Sequence, residues 1–528
     1  MTRSRNNAGR IVVLALTFLI PSTLGTHAAL AADDWVQLAS NIDGEAARDL
    51  SGYAVSLSSD GSTVAIGARY NDGDKGVDSG QVRVYSLVDG AWEQQGADID
   101  GEAAGDQFGW SVSLSSDGST VAIGSPANSS AKGHVRVYSL VDGAWEQQGA
   151  DIDGEATGDQ SGFAVALSSD GSTVAIGAPR NDGNGTFSGH VRVYSLVDGA
   201  WEQQGADIDG EAEYDESGRS VSLSSDGSTV AIGAPYNNGN GTDSGQVRVY
   251  SLVDGAWEQQ GADIDGESLG DRSGSSVSLS SDGSTVAIGA PENDGNGDKS
   301  GQVRVYAWEG TSWSQRGADI DGDAAGDQSG FAVSLSSDGS TVAIGAPYND
   351  GNGTDSGQVR VYAWEGTSWS QRGSDLDGVA AGDESGYAVS LSSDGSTVAI
   401  GAPDNDGNGT DSGQVRVFTW PTAASGAIPG PLTEFTFFLP DGRECSSISP
   451  QRVQVGTMQV LPGEDALCQT SEGSLVAGWA IPVQPGFTGY GSVHQPFPPG
   501  LPVRVIESQR FTVVPYEQVL QVDYDSNI

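Results

Sequence analysis

Apolar and polar residues alternate in short bursts along most of this chain, and glycine and aspartate separate the bursts. From Ser329, SGFAVSLSSDG is followed by STVAIGAP, two alternating segments joined at Asp338-Gly339, a dipeptide suited to a tight hairpin. The pattern predicts two antiparallel strands, A and B. A longer loop, YNDGNGTDSG, leads into QVRVYAWEG, where Val359 and Val361 share one face while Arg360 and Tyr362 point to the other, as in a strand C. A turn such as Asp198-Gly199 then connects to a segment of the form AWEQQGADIDGE, predicted as strand D.

The string LSSDGSTVAIG begins at Leu57, Leu114, Leu167, Leu223, Leu279, Leu335 and Leu391. A period near 56 residues suits one four-stranded sheet per copy, the blade of a propeller. Strand D is marked by Trp35, Trp92, Trp145, Trp201, Trp257, Trp313 and Trp369, so one D strand precedes every A strand and the last copy has none of its own. Pairing the spare first strand with the last copy closes the circle and leaves no bare terminal blade. The expected fold is all-β: a seven-bladed β-propeller closed by an N-terminal strand, followed by a small C-terminal β-sandwich-like domain.

The ends of the chain have a different character. Arg3, Arg5 and Arg10 precede an apolar run from Ile11 to Ile20 and small residues ending at Ala31, the pattern of a secretory signal peptide over 1–31. The propeller is expected over 32–420, a Pro/Gly/Ala linker over 421–431, and the C-terminal β domain over 432–528. The N-terminal apolar run is too short to span a bilayer comfortably, and no other apolar stretch of 18 residues exists. In an exported chain, Cys445 and Cys468 read as a single disulfide, with two buried thiols as the alternative.

The repeats resemble FG-GAP repeats, the blades of the integrin α-chain propeller. Gly-Ala-Pro closes strand B at Gly177-Ala178-Pro179 and in the four copies after it, while the first copy has Gly67-Ala68-Arg69 and the second Gly124-Ser125-Pro126. Phe-Gly stands only at Phe108-Gly109 and is Ser-Gly elsewhere, followed in most copies by an aromatic: Tyr53, Trp110, Phe163, Phe331 and Tyr387. The resemblance implies a binding or adhesive propeller. The Asp-x-Asp-x-Asp-Gly calcium loop of integrin-type blades is replaced here by Ser-Ser-Asp-Gly-Ser, which puts calcium at that place in doubt.

Charge narrows the functions. With 24 Lys+Arg against 71 Asp+Glu, the net charge of −47 excludes recognition of a phosphate backbone. The same acidity with little lysine suits a saline habitat. The four histidines converge with no nucleophile, and no zinc-protease, phosphate-loop or nucleophile-elbow motif occurs, so the expectation is that the chain is not an enzyme.

In an up-and-down blade the long B-to-C and D-to-A loops share one face of the ring. Asp98, Asp100 and Glu102, alternate residues of an extended chain with Asp106 following, are the candidate metal ligands, and calcium the candidate cofactor; acids that simply protect an edge strand are the alternative. The copies differ most on the same face, making Tyr70, Arg180, Tyr236 and Tyr348 candidate ligand-binding residues, with drift in exposed loops as the alternative. Arg219 and Ser275 replace the aromatic found in the other copies. The expected function is an exported, non-catalytic binding or adhesion protein, secreted or at the cell surface, whose partner is an extracellular protein or glycan. The alternative is a structural matrix or envelope component with cation-binding loops.

Overall fold

A computed structural model describes residues 34–421 apart from 74, and beyond them two antiparallel strand pairs, Leu467–Gln469 with Leu475–Ala477 and Thr488–Gln495 with Arg504–Thr512. The expected signal peptide, the linker from 422 onward and Cys445 lie outside the described residues, as does the side chain of Cys468.

Each copy of the repeat is one antiparallel sheet. In the sixth blade strand A is Ala332–Leu335, B is Thr341–Ala346, C is Gln358–Trp364, and D comes in two pieces, Trp369–Gln371 and Leu376–Asp377, both paired with C. The sequence predicts an unbroken D strand; the break falls at the glycine between the pieces. In the first blade this is Gly96, which has a φ of +70° and lies so close to Trp145 of the next blade that a Cβ would stand 2.9 Å from Cδ1 of that ring. The C-to-D turn uses two positive-φ residues, 48° at Asp198 and 83° at Gly199, the geometry that matches strand twist.

Every residue of strand B is buried, because blades stack on both its faces. In Thr229–Ala234, Val230 and Ile232 pack with Val191 and Val193 of the blade before, whereas Ala231 joins Val277 and Ile288 of the blade after. The seven hydrophobic clusters therefore lie between blades rather than at the centre. Each D-strand tryptophan extends this joint: Trp201 Nε1 donates to Gln148 O of the preceding blade at 2.8 Å, and Trp257 to Gln204 O at 2.8 Å.

Closure is complete. Val36–Gln37 and Ile42–Asp43 both pair with strand C of the last blade, Gln414–Thr419, giving it the D strand it lacks. Trp35 Nε1 donates to Arg372 O at 2.7 Å, as its counterparts do in the other blades. A strands ring the axis, each touching those of both neighbours. At the short-turn end, seven serine amides form an unbroken hydrogen-bonded circle, from Ser59 N to Ser116 O at 2.8 Å round to Ser393 N to Ser59 O at 2.8 Å.

Candidate functional site

The opposite end of the axis is lined by the residue that follows Ser-Gly or Phe-Gly at the start of each strand A. Five of the seven are aromatic and touch in sequence around the axis: Phe163 to Trp110 at 5.2 Å between ring centroids, Trp110 to Tyr53 at 5.3 Å, Tyr53 to Tyr387 at 4.9 Å and Tyr387 to Phe331 at 4.8 Å. All are half-buried. The other two positions are Arg219, whose guanidinium lies 5.1 Å from the Phe163 centroid, and Ser275, too small to close the arc. The result is an asymmetric mouth on the long-loop face, mostly aromatic with one polar sector.

Arg69 sits in the aromatic part, its guanidinium carbon 3.7 Å from the Tyr53 centroid, 4.4 Å from Tyr70 and 4.5 Å from Trp110. It occupies the place of the proline in the Gly-Ala-Pro signature. Its Nε is buried without a hydrogen-bond partner; ring faces pack on the guanidinium, and the Asp404 carboxylate lies close enough to interact with its charge. Burial raises the hydroxyl pKa of both Tyr53 and Tyr387, which hydrogen-bond to each other and stay neutral.

Three of the four expected ligand-binding residues join this mouth. Tyr70 packs on Arg69, Tyr236 lies between Arg219 at 5.5 Å and Arg272 at 5.0 Å, and Tyr348 meets Phe331 edge-on at 6.2 Å. Arg180 turns away, 5.6 Å from the Phe187 ring, which in turn packs on Tyr214. The sequence marks Arg69 only as a variable position beside Tyr70 on this face, not as a ligand-binding residue, and does not single out Glu384. For Arg69 the signal was present as a broken signature; for Glu384 there was none, since its neighbours come from other loops.

Glu384 precedes Tyr387 in the same turn. Burial first, then Asp404, Asp355 and Asp411, push its pKa up to about 7. A carboxyl whose folded pKa is raised favours the folded state at low pH, and that advantage is lost as pH climbs from its unfolded value through about 7. Glu384→Gln should therefore melt at the same temperature as the wild type near about pH 4.5 and roughly 1–2 °C higher at about pH 8, a small shift because solvent screens this partly exposed group and the propeller is large. Equal melting temperatures at both pH values would show that Glu384 carries no such strain.

The expected metal quartet does not come together. Asp98 Oδ1 accepts from Gln94 Nε2 at 2.6 Å, Asp100 lies in the second piece of strand D, and Glu102 pairs with Arg136 of the next blade. Asp106 is buried and accepts from the Ala103 amide at 3.0 Å, closing its own turn. The equal spacing of the first three fails to align them because the chain leaves the strand after Asp100. The A-to-B turn does not fit calcium either: Asp60 Oδ1 is engaged by Ser58 Oγ, Ser62 N and Ser62 Oγ at 2.7 to 2.9 Å, with no second carboxylate in the turn. Among the described residues, the metal-competent groups are two others, Glu102 with His134 and Asp151, and Glu155 with His190 and Asp207.

The long loops are built by asparagine side chains. Asn184 Nδ2 donates to Gly210 O and Asn240 Nδ2 to Gly266 O, each at 2.8 Å. Asn296 makes the same bond at 2.9 Å to Gly322 O, so the asparagine at this place ties the loop to the next connection in blade after blade.

Across each blade boundary, the glycine of Gly-Ala-Pro meets the glycine of the next Ser-Gly or Phe-Gly: a Cβ on Gly67 would lie 2.1 Å from Gly109 O, and one on Gly177 2.0 Å from Gly218 O. The two halves of the signature are thus one contact. A family model described as FG-GAP repeat matches residues 207–250, 263–306, 318–362 and 376–418. This chain is an FG-GAP seven-bladed propeller. The three blades before residue 207 repeat the same sheets, closing hydrogen bonds and glycine contacts. The fold suits a binding or structural role. No curated protein matches the sequence. A solved structure from Bacteroides uniformis ATCC 8492, described as a candidate 6-phosphogluconolactonase, is similar at 14% identity with a TM-score of 0.45, covering 62% of this chain and 85% of that one. The expectation that the chain is not an enzyme is withdrawn in view of that relative, although at this TM-score the likeness assigns no activity to the FG-GAP propeller. Among the described residues, no helix is long and apolar enough to cross a membrane.

Proposed function

We propose that this FG-GAP propeller is an exported binding or adhesion protein, acting outside the cell or at its surface, that takes its ligand at the axial mouth of the long-loop face. The observation that carries the reading is the arc of five touching aromatic side chains with Arg69 set into it. Half-buried ring faces stack on the apolar faces of sugar rings, and the polar sector at Arg219 and Ser275 offers hydrogen bonds to hydroxyls. A glycan fits this chemistry best; a protein loop carrying an aromatic or aliphatic anchor is the competing ligand. Export is supported by the basic and apolar N-terminal pattern of the sequence.

The test is a glycan array and a panel of extracellular-matrix proteins probed with the purified chain, followed by calorimetry on any ligand found. Trp110→Ala should weaken that ligand by roughly tenfold or more, the usual cost of removing a central aromatic anchor. Tyr214→Ser, at an outer position that is 56% exposed, should leave it unchanged. If Tyr214→Ser abolishes binding and Trp110→Ala does not, the outer rim and not the axial mouth is the site.

A further inference from the structure

Strand C begins with glutamine in five blades, at Gln81, Gln246, Gln302, Gln358 and Gln414, and with histidine in two, at His134 and His190. The glutamine amide commonly donates to a carboxylate: Gln246 Nε2 to Glu211 Oε2 of the preceding connection at 3.3 Å, and Gln414 Nε2 to Asp43 Oδ1 at 2.9 Å. Histidine changes what the position can do, because a neutral imidazole presents a lone pair as well as an N–H. The two imidazoles are only 2% and 1% exposed, and Nε2 of His134 has no hydrogen-bond partner. Burial lowers the pKa of both rings and keeps them neutral, the form that ligates a metal.

Each histidine faces two carboxylates from two blades. Glu155, on the connection from the preceding blade, and Asp207, in the histidine's own blade, place Oε2 and Oδ2 at 4.0 and 3.9 Å from Nδ1 of His190. These separations are too long for hydrogen bonds and slightly longer than the roughly 3.4 Å between ligands of a tetrahedral ion bound at about 2.0–2.2 Å. Small side-chain movements would close them on an ion. Glu155 is about half exposed and Asp207 a third exposed, so the group opens to solvent on the side away from the buried ring.

The two groups differ in one respect. At His134, Arg136 holds both acids, donating to the two Asp151 oxygens at 2.9 and 3.0 Å and pairing with Glu102. At His190 the corresponding Arg192 donates to Asp153 O at 2.8 Å, stays 3.9 Å from Glu155 Oε1, and leaves its Nε unpartnered. Asp207 Oδ1 accepts from Gln203 Nε2 at 2.7 Å, and its Oδ2 is the oxygen that faces His190.

We propose that Glu155, His190 and Asp207 form a site for a divalent transition-metal ion of the zinc type, bound across the boundary between the second and third blades. The ligand set is one imidazole nitrogen and two carboxylate oxygens, leaving further positions to water. It is not a calcium site, since calcium takes oxygen ligands in larger number. The Glu102, His134 and Asp151 group is the same site held shut by Arg136, and binds more weakly. This inference is independent of the ligand-binding reading, whose residues lie at the axis.

The experiment is titration of the full chain with zinc chloride by calorimetry, with cobalt(II) absorption as a second readout of coordination. His190→Gln is the informative variant, because it restores the residue that most blades carry and so preserves the fold. Wild type should bind zinc at one dominant site, His190→Gln should weaken that site by tenfold or more and abolish the cobalt visible bands, and His134→Gln should leave both nearly unchanged. Identical zinc isotherms for wild type and His190→Gln would overturn the proposal, as would loss of the dominant site in His134→Gln alone. Absence of heat and of cobalt bands in the wild type at millimolar metal would overturn it outright.

Discussion

Deletion of the residues before Glu45 is expected to abolish the single cooperative unfolding transition of the propeller and to make it self-associate. Val36–Gln37 and Ile42–Asp43 supply the outer strand of the last blade, so their removal strips strand C, Gln414–Thr419, of its partner and leaves its N–H and C=O groups open to another chain. The deletion also removes Trp35, buried against Trp420 with ring centroids 5.5 Å apart and bonded to Arg372 O at 2.7 Å. Trp35→Ala alone should cost about 3–5 kcal/mol, the range for a large buried aromatic, while keeping the ring closed. Thermal unfolding combined with size-exclusion chromatography reads both effects. A truncated chain that stays monomeric and melts at the wild-type temperature would show that the joint between N-terminal strand and last blade does not hold the ring together.

Gly289→Ala should destabilise the protein by roughly 2–4 kcal/mol, far beyond the ordinary cost of adding a methyl group. A Cβ there would stand 2.0 Å from the carbonyl oxygen of Gly330 in the next blade, backbone that can yield only if two blades move apart. Gly310→Ala in the same blade is the matched control: its φ is +85° but nothing lies within 4 Å of the added atom, so only the conformational cost of about 1–2 kcal/mol applies. Chemical denaturation of the two variants separates steric from torsional cost. Equal losses would mean that glycine is needed in the signature for its backbone freedom and not for the approach of the blades.

The repeated string, the position of the first tryptophan and the Asp-Gly turns sufficed to predict the blades, their number and the way the ring closes, because each depends on local alternation and on counting. What failed was local as well. Asp98, Asp100 and Glu102 look aligned in an extended chain, yet strand D breaks near Gly96 and ends at Asp100, which sends Glu102 across to Arg136. Arg69 was visible as a departure from Gly-Ala-Pro, but its role depends on Tyr53 and Trp110 meeting it at the axis. One departure carries over directly: Ala166 stands where other blades have a serine that accepts the next blade's leucine amide, as Ser113 does from Leu167 N at 3.0 Å, and in the described chain no such bond reaches Leu223 N.

By itself the sequence determined the architecture: seven near-identical copies, each too small to bury its own faces, can be stable only when stacked, and a displaced D strand makes the stack a closed ring. Only the tertiary structure decided the sites. The aromatic arc joins residues one repeat apart, and the Glu155, His190 and Asp207 group joins two blades, so neither is a neighbourhood in the chain. The physical reason is that packing a blade buries both faces of its sheet, and polar groups left at a boundary find their partners in the adjoining blade, a relation that alternation along one strand does not encode.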